Sequence, residues 1–149
     1  MKELLAAIKA ALLTGITYVR PQDLYITPSL DLVPNGVRPP AIAIKDGPIA
    51  RTEKLGGLWE VSLAVRIAVF AQVLKPEASL MGDTSTSTKG MLDMADDVHT
   101  VLDENFLSIV GMLDAFSPSE GESELVGDES EMFQRKIITY QYLKEEDRP

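Results

Sequence analysis

The chain has 149 residues, of which 45% are hydrophobic and 25% are charged, and its formal net charge at pH 7 is −9. This length and composition are typical of one soluble domain with its own core, so we expect a single domain over residues 1–149. The lack of cysteine excludes disulfides, Cys-ligated metals and thiol catalysis, and a single histidine, His99, excludes a multi-histidine metal site.

Charge is distributed unevenly along the sequence. Residues 1–75 carry a balance of +3, whereas residues 76–149 carry −12. The acidic half is either simply solvated or attracted to the basic half of a neighbouring copy, which would favour head-to-tail rings. The sequence has no clustered Lys/Arg surface of the kind that DNA-binding domains use to neutralise phosphates. No window approaches 18 consecutive apolar residues, so we expect no membrane partner.

The first part of the sequence predicts one helix and short strands. Apolar residues at helical spacing predict a helix over 2–14, which Gly15 would end. Residues 16–57 are rich in proline and irregular. Within them the pattern predicts a strand at 41–44, a turn at 46–48 and a further strand segment at 50–54.

The clearest pattern is an alternation over residues 58–74. The odd positions are all apolar and the even ones include Glu60 and Arg66, so we expect one face in the core and the other mostly in solvent. At about 3.3 Å per residue this strand would span roughly 50 Å, more than the roughly 40 Å diameter of a domain of this size. It must either bend at a bulge or protrude as a hairpin that another subunit covers.

The second half predicts another helix and three extended segments. A polar loop over 75–88 supplies hydroxyls that could cap a helix over 88–104. The remaining segments are a strand or irregular packed segment at 106–117, short and long strands at 125–126 and 132–143, and a frayed tail at 144–149. Together the elements predict an α+β fold, a mainly antiparallel β-sheet with two helices packed on one face and a long protruding or bulged β-hairpin.

Ionisable residues are densest on the second predicted helix. There His99 lies one helical turn from Asp96 and from Asp103, and a metal site could be drawn from this set together with Asp93, Asp97 and Glu104. A solvated acidic face explains the same residues without a ligand. The acidic segment 119–131 lacks the spacing of a calcium loop, and no phosphate-binding or serine-hydrolase motif occurs. We therefore expect no metal, no cofactor and no catalytic residue.

Four segments follow the first helix and the proline-rich loop in a distinctive order. They are the short strand Pro40–Ile44, the alternating strand Trp59–Val73, the helix from Met91 to Asn105 and the strand Arg135–Tyr140. This succession, which covers most of the chain, resembles the tail terminator (tail completion) proteins of long-tailed bacteriophages and prophages.

The resemblance implies a structural protein and no enzyme. Such proteins form a ring, usually a hexamer, that caps the finished tail tube, ends its polymerisation and provides the head-joining surface. The implied partners are further copies of the chain, the tail tube protein and a head-completion or connector protein, while DNA passes through without specific binding. The implied location is the virion tail, and the host bacterial cytoplasm during assembly. The alternatives are a neck or connector component of the virion, or a small-molecule-binding domain or enzyme that uses the acidic helix with His99.

Two sets of residues are the candidates for these contacts. We expect the interface with a neighbouring copy or with the tube to include Arg51, Lys54, Trp59, Glu60 and Arg66. We expect the lumen of a ring to be acidic, because repulsion keeps DNA from sticking, and the candidate residues there are Glu122, Glu124 and Glu129.

Overall fold

The computed structural model describes residues 1–31, 33–73, 76–85, 88–127 and 132–147. Within these residues the elements are α1 Lys2–Gly15, β1 Leu24–Ile26, β2 Ala41–Lys54, β3 Leu58–Gln72, α2 Pro76–Met81, α3 Met91–Leu102, β4 Met112–Glu120, β5 Glu124–Gly127 and β6 Met132–Asp147. The strands form one sheet in the order β1-β2-β3-β6-β4, and β5 also pairs with β6. All pairs are antiparallel except β1 with β2. The predicted α+β fold with a mainly antiparallel sheet is confirmed.

Helices α1 and α3 cover one face of the sheet, which we call the helix face. Both helices bury the apolar stripe that their 3.6-residue spacing predicts: Leu4, Ile8 and Leu12 from α1, and Met91, Met94, Ala95, Val98 and Leu102 from α3. The odd-numbered side chains of β3 and Ile138, Tyr140 and Tyr142 of β6 complete this core. Gly15 is the last residue of α1, and Ile16 rather than Gly15 caps it.

The opposite face, which we call the back face, is only partly open to solvent. Near the start of β2 lies a second buried apolar cluster of Leu30, Ala41, Ala43, Ala68 and Phe70, against which Tyr25, Val33 and Val37 and, from β5, Val126 are packed. The expectation that the even positions of β3 are mostly wet is therefore wrong at Ala64, Ala68 and Phe70. Because these alanine side chains are small, the proline-rich segment lies close to the sheet. It covers part of the back face, as the helices cover the helix face.

Strand β2 is continuous where the sequence predicts a turn. Its register with β3 shifts between Asp46 and Ile49, which is a β-bulge, and the predicted turn at 46–48 is therefore wrong. The bulge has a steric reason, because a Cβ on Gly47 would lie 2.8 Å from the carbonyl oxygen of Ala64. Only glycine permits this approach of the two backbones, and Pro48 supplies no N–H to the ladder.

Strands β2 and β3 form a long hairpin joined by residues 55–57, and β6 accompanies it to the end. The β3–β6 ladder runs from Leu58 opposite Asp147 to Gln72 opposite Phe133. The bulge that one alternative predicted for the alternating strand lies in its partner β2 instead, and the outer part of the hairpin is three strands wide. Residues 144–147 belong to β6, so the predicted frayed tail is wrong for them.

Three other local predictions differ from the structure. The loop predicted at 75–88 contains α2, and β1 was not predicted at all. The cap residue of α3 is Gly90 rather than a hydroxyl residue, and its N–H donates to Asp93 Oδ2 at 3.1 Å; Thr86 and Ser87 of the predicted capping loop lie outside the described residues. Residues 103–111 are irregular and lead into β4. By contrast, the short strand predicted at 125–126 is confirmed as part of β5. None of the described helices combines the length and apolar character needed to span a bilayer.

Candidate interaction surface

The outer part of the sheet includes a continuous exposed surface. We call it the distal sheet, and it consists of residues 49–54 of β2, the connection 55–57, residues 58–62 of β3 and residues 143–147 of β6. Every residue from Ile49 to Gly57 is exposed, and Leu55 at the tip exposes 97% of its surface. Together with Ile49, which is also exposed, Leu55 gives the distal sheet apolar surface that a partner chain would cover on binding.

The pleat of the sheet divides the predicted interface residues between the two faces. Arg51 lies opposite Val61, and Trp59 lies opposite Glu53, on the helix face. Trp59 packs partly against the main core, whereas Arg51 is exposed. These two residues are therefore neighbours on one side of the distal sheet.

Lys54 and Glu60 lie together on the back face. Their charged atoms are 2.6 Å apart, and the hydrogen bond from Lys54 to Glu60 raises the pKa of the lysine above its usual value. Arg66 is on the same face but further along β3, opposite Lys45 and Thr139. The five predicted residues thus do not form one patch, because Arg51 and Trp59 are separated by the sheet from the other three.

An acidic groove runs along one end of the distal sheet. It has a volume of about 360 Å³ and is lined by Leu58, Val110 and residues 144–147 of β6. Val110 exposes 90% of its surface beside this groove. The loop carrying Val110 is attached to β6 by a hydrogen bond of 2.9 Å from the N–H of Glu145 to the carbonyl of Gly111. Exposed apolar side chains are therefore present both at the tip and at this edge of the distal sheet.

The histidine takes part in a side-chain network on the helix face. The Tyr140 hydroxyl donates to Asp103 Oδ1 at 2.6 Å and lies 2.7 Å from His99 Nδ1. On the other side of the ring, His99 Nε2 lies 3.3 Å from Glu120 Oε1. Burial of the phenol, and secondly its hydrogen bond to Asp103, raises the pKa of Tyr140 well above its usual value.

The hydrogen bonds of this network hold three elements of the fold together. Its members come from α3, β4 and β6, and both ring nitrogens of His99 face side chains of the fold. The adjoining open groove of about 490 Å³ includes Ser117, whose hydroxyl donates to the backbone carbonyls of Ser119 and Thr139 rather than to the imidazole. The hydroxyl that does contact the imidazole belongs to Tyr140 and donates its proton to Asp103, so His99 is not placed to activate it as a nucleophile.

Two other carboxylates of α3, those of Asp97 and Asp93, have separate structural partners. Asp97 accepts a hydrogen bond of 2.7 Å from the Tyr18 hydroxyl and lies 3.4 Å from Lys89. Asp93 accepts from Gly90 at the start of the helix. Over the described part of the chain, no three histidine or acidic residues are grouped so that they could hold a metal ion. Sequence spacing identified His99 and Asp103 as neighbours, but nothing in it indicated Glu120 or Tyr140.

The three predicted lumen residues have different environments. Glu122 is exposed. Glu124 accepts hydrogen bonds of 2.9 and 2.6 Å from Arg135, whose guanidinium also reaches the carbonyl of Leu30 at 2.9 Å and Asp31 at 3.1 Å. Glu129 lies outside the described residues. Arg135 therefore fastens both β5 and the proline-rich segment to β6, a role that its sequence position did not reveal.

Comparison with known proteins finds a structural likeness. No protein-family model matches the chain, and none of the curated proteins matches it either. A chain in the solved structure described as the virion of the native gene transfer agent (GTA) particle is similar with a TM-score of 0.55. The two are 15% identical, and the similarity covers 95% of this chain and 94% of that one. At this identity the likeness concerns the fold.

Proposed function

We propose that this chain is a structural component of a tailed phage or phage-like particle. The observation that supports it is the likeness in fold, over nearly the full length of both chains, to a protein of the gene transfer agent virion. The structure adds a sheet whose outer part is left uncovered, as expected of a chain that acts by contacting other chains. The histidine network, the one group that suggested chemistry, is occupied by contacts within the fold.

Within such a particle, the proposed role is that of a tail terminator. Copies of the chain form a ring, a hexamer by the resemblance, which caps the tail tube and presents a surface to the head-completion or connector protein. The protein would then be found in the virion tail, and in the host cytoplasm during assembly.

The distal sheet is the proposed contact with a neighbouring copy or with the tube. Arg51 and Trp59 would serve it on the helix face, and Lys54 and Glu60 on the back face, with Arg66 beyond the distal sheet further along β3. A hairpin contacted on both faces would fill a gap between two other chains. Leu55 is the apolar residue at its tip that would enter a partner's surface.

The acidic lumen remains part of the proposal, but its test has to avoid Glu124. Reversing the charge of Glu124 would place a lysine beside Arg135 and disturb β5, whatever the lumen does. Glu122→Lys with Glu129→Lys is the cleaner variant. Slower or incomplete passage of DNA in particles carrying this pair would support an acidic lumen, and unchanged passage would contradict it.

Electron microscopy of tail tubes mixed with purified protein tests the terminator role. The wild-type chain should appear as a ring at one tube end and prevent elongation. Leu55→Asp should abolish capping without loss of helix content, because this side chain makes no contribution to the core. Ala10→Glu, an exposed substitution on α1, is the matched control and should cap normally.

The outcomes separate the alternatives. Failure of the wild-type chain to bind tubes, together with binding to head connectors, would favour a neck component instead. Normal capping by Leu55→Asp would contradict the proposed contact. Loss of function on His99→Ala with the fold intact would favour an enzyme or ligand-binding domain, whereas the ring proposal expects little effect.

A further inference from the structure

The two edges of the sheet differ in whether their backbone groups are available to pair with another strand. On the β4 side both backbone groups of Ala115 have partners outside the β-ladder, since its N–H donates to Asp114 Oδ1 at 2.9 Å and its carbonyl accepts from the N–H of Glu104 at 3.0 Å. Pro118 and a register shift interrupt the same strand. These features prevent another strand from adding to this edge.

The β2 side is open over its outer half. Strand β1 pairs only with Ile42–Ile44, and no other described strand lies on the outer side of Lys45–Lys54. After the bulge, residues 49–54 form an exposed edge without proline. An edge of this kind is a template for strand addition.

We propose that this open edge pairs with the same edge of a second copy, in an antiparallel two-fold contact centred on Thr52. The proposal goes beyond the ring, because a self-complementary two-fold contact joins two copies and stops there. The dimer is a state of the free protein that protects the edge from uncontrolled strand addition before assembly.

The residues around Thr52 are self-complementary in this register. Arg51 of each copy lies opposite Glu53 of the other, which places two opposite-charge pairs across the contact. On the outer side of these pairs Ile49 lies opposite Leu55, and both are exposed apolar side chains in the single chain. Glu53 already takes part in an interaction within its own chain, and its two oxygens allow it to accept a further donor.

Neighbouring registers are less favourable. If the pairing shifted by one residue, one copy would have to turn over. The helix face of that copy would then lie on the same side of the joined sheet as the back face of the other. Centring the contact on residue 51 would oppose Arg51 to itself, and centring it on residue 53 would oppose Glu53 to itself. Like charges directly opposite each other destabilise a strand pair. The charge pattern therefore selects Thr52.

Site-directed crosslinking tests the register directly, because the natural sequence has no cysteine. Two copies of Thr52→Cys would be directly opposed and should be joined by oxidation or by a short bifunctional maleimide. Ala50→Cys is the matched control, because its two copies would lie four residues out of register, roughly 13 Å apart. Equal crosslinking of the two variants, or none with Thr52→Cys, would overturn the proposal.

Charge exchange tests the pairing without a crosslink. Arg51→Glu should weaken dimerisation about tenfold, measured as the dimer dissociation constant by sedimentation equilibrium, because both pairs become repulsive. The double variant Arg51→Glu/Glu53→Arg restores opposite charges and should return the constant to near the wild-type value. A wild-type chain that stays monomeric at high concentration, or a double variant as monomeric as Arg51→Glu, would contradict the contact. Tube capping does not enter either measurement, so the terminator role is judged separately.

Discussion

Arg135 binds Glu124 through two nitrogens of its guanidinium, with Nε and one terminal nitrogen 2.9 and 2.6 Å from Glu124 Oε1. The same guanidinium donates to the carbonyl of Leu30, 105 residues away in the sequence. One side chain of β6 therefore holds both covers of the back face, β5 and the proline-rich segment. Removing it should loosen both covers together.

We expect Arg135→Met to lower the free energy of unfolding by about 1–3 kcal/mol, since it removes charge-assisted hydrogen bonds at a largely buried position. Urea unfolding measures this change. The control is Arg66→Met, an exposed arginine of β3 outside the proposed dimer contact, which should change the stability by no more than about 0.5 kcal/mol. Equal effects of the two substitutions would contradict the fastening role of Arg135.

Gly36 and Gly111 have similar positive φ angles but different surroundings, so a comparison of the two distinguishes the cost of backbone strain from that of a steric clash. Gly111 has φ +85° and a Cβ built on it would lie 2.4 Å from the carbonyl oxygen of Glu145, whereas Gly36 has φ +87° and open space around it. Gly36→Ala should cost about 1 kcal/mol from conformation alone, and Gly111→Ala should cost more because the contact with β6 must also move. Thermal unfolding of the two variants measures the difference, and an equal loss would show that loop 103–111 does not press on β6.

Acid stability should depend on Asp23. This buried carboxylate accepts hydrogen bonds from Arg20 at 2.5 and 3.1 Å and from the backbone N–H of Arg38, and the Arg20 contact above all lowers its pKa. Its contribution to stability is present above the unfolded-state pKa of about 4 and is lost as the pH falls through the lower folded-state value.

The corresponding experiment compares the wild-type chain with Asp23→Asn. In the wild type, the free energy of unfolding should rise with pH in the interval between the two pKa values, and the variant should lack this part of the slope. Chemical unfolding at several values from about pH 2 to pH 5 measures both curves, because the interval lies below the unfolded-state pKa of about 4. Parallel curves over that interval would contradict the assignment.

The hydroxyl of Tyr140 should matter for stability and not for assembly. Tyr140→Phe removes the donor to Asp103 and leaves the ring in place, so we expect a loss of about 1 kcal/mol in the free energy of unfolding. Tube capping by the variant should remain normal if the His99 network only joins α3 to β6. Unchanged stability with lost capping would instead assign the network a functional role.

The sequence predicted those elements whose side chains repeat with a clear period. The stripes of α1 and α3 and the odd positions of β3 follow from 3.6- and 2-residue spacing, because burial of one side imposes that spacing on the chain. The exposed hairpin tip could also be predicted, because the alternating strand is longer than the expected diameter of the domain.

The rest depends on contacts between distant residues, which spacing does not encode. The continuity of β2 through Gly47 depends on the approach of Ala64 from β3, and the burial of Ala68 depends on a proline-rich segment without periodicity. The partners of His99 and Glu124 come from strands 41 and 11 residues away. Local patterns could name the candidate residues of the distal sheet, but only the pleat showed that they lie on two faces.

The position of β3 in the middle of the sheet also sets an order of events during synthesis. Its partner on one side, β2, precedes it directly, whereas its partner on the other side leaves the ribosome about 75 residues later, as the pairing of Val65 with Tyr140 shows. A nascent chain that ends before residue 132 therefore presents β3 with one edge unpaired along its whole length. Pairing across such a sequence distance is intrinsically slow, and the incomplete sheet is the species most exposed to aggregation and to chaperone binding.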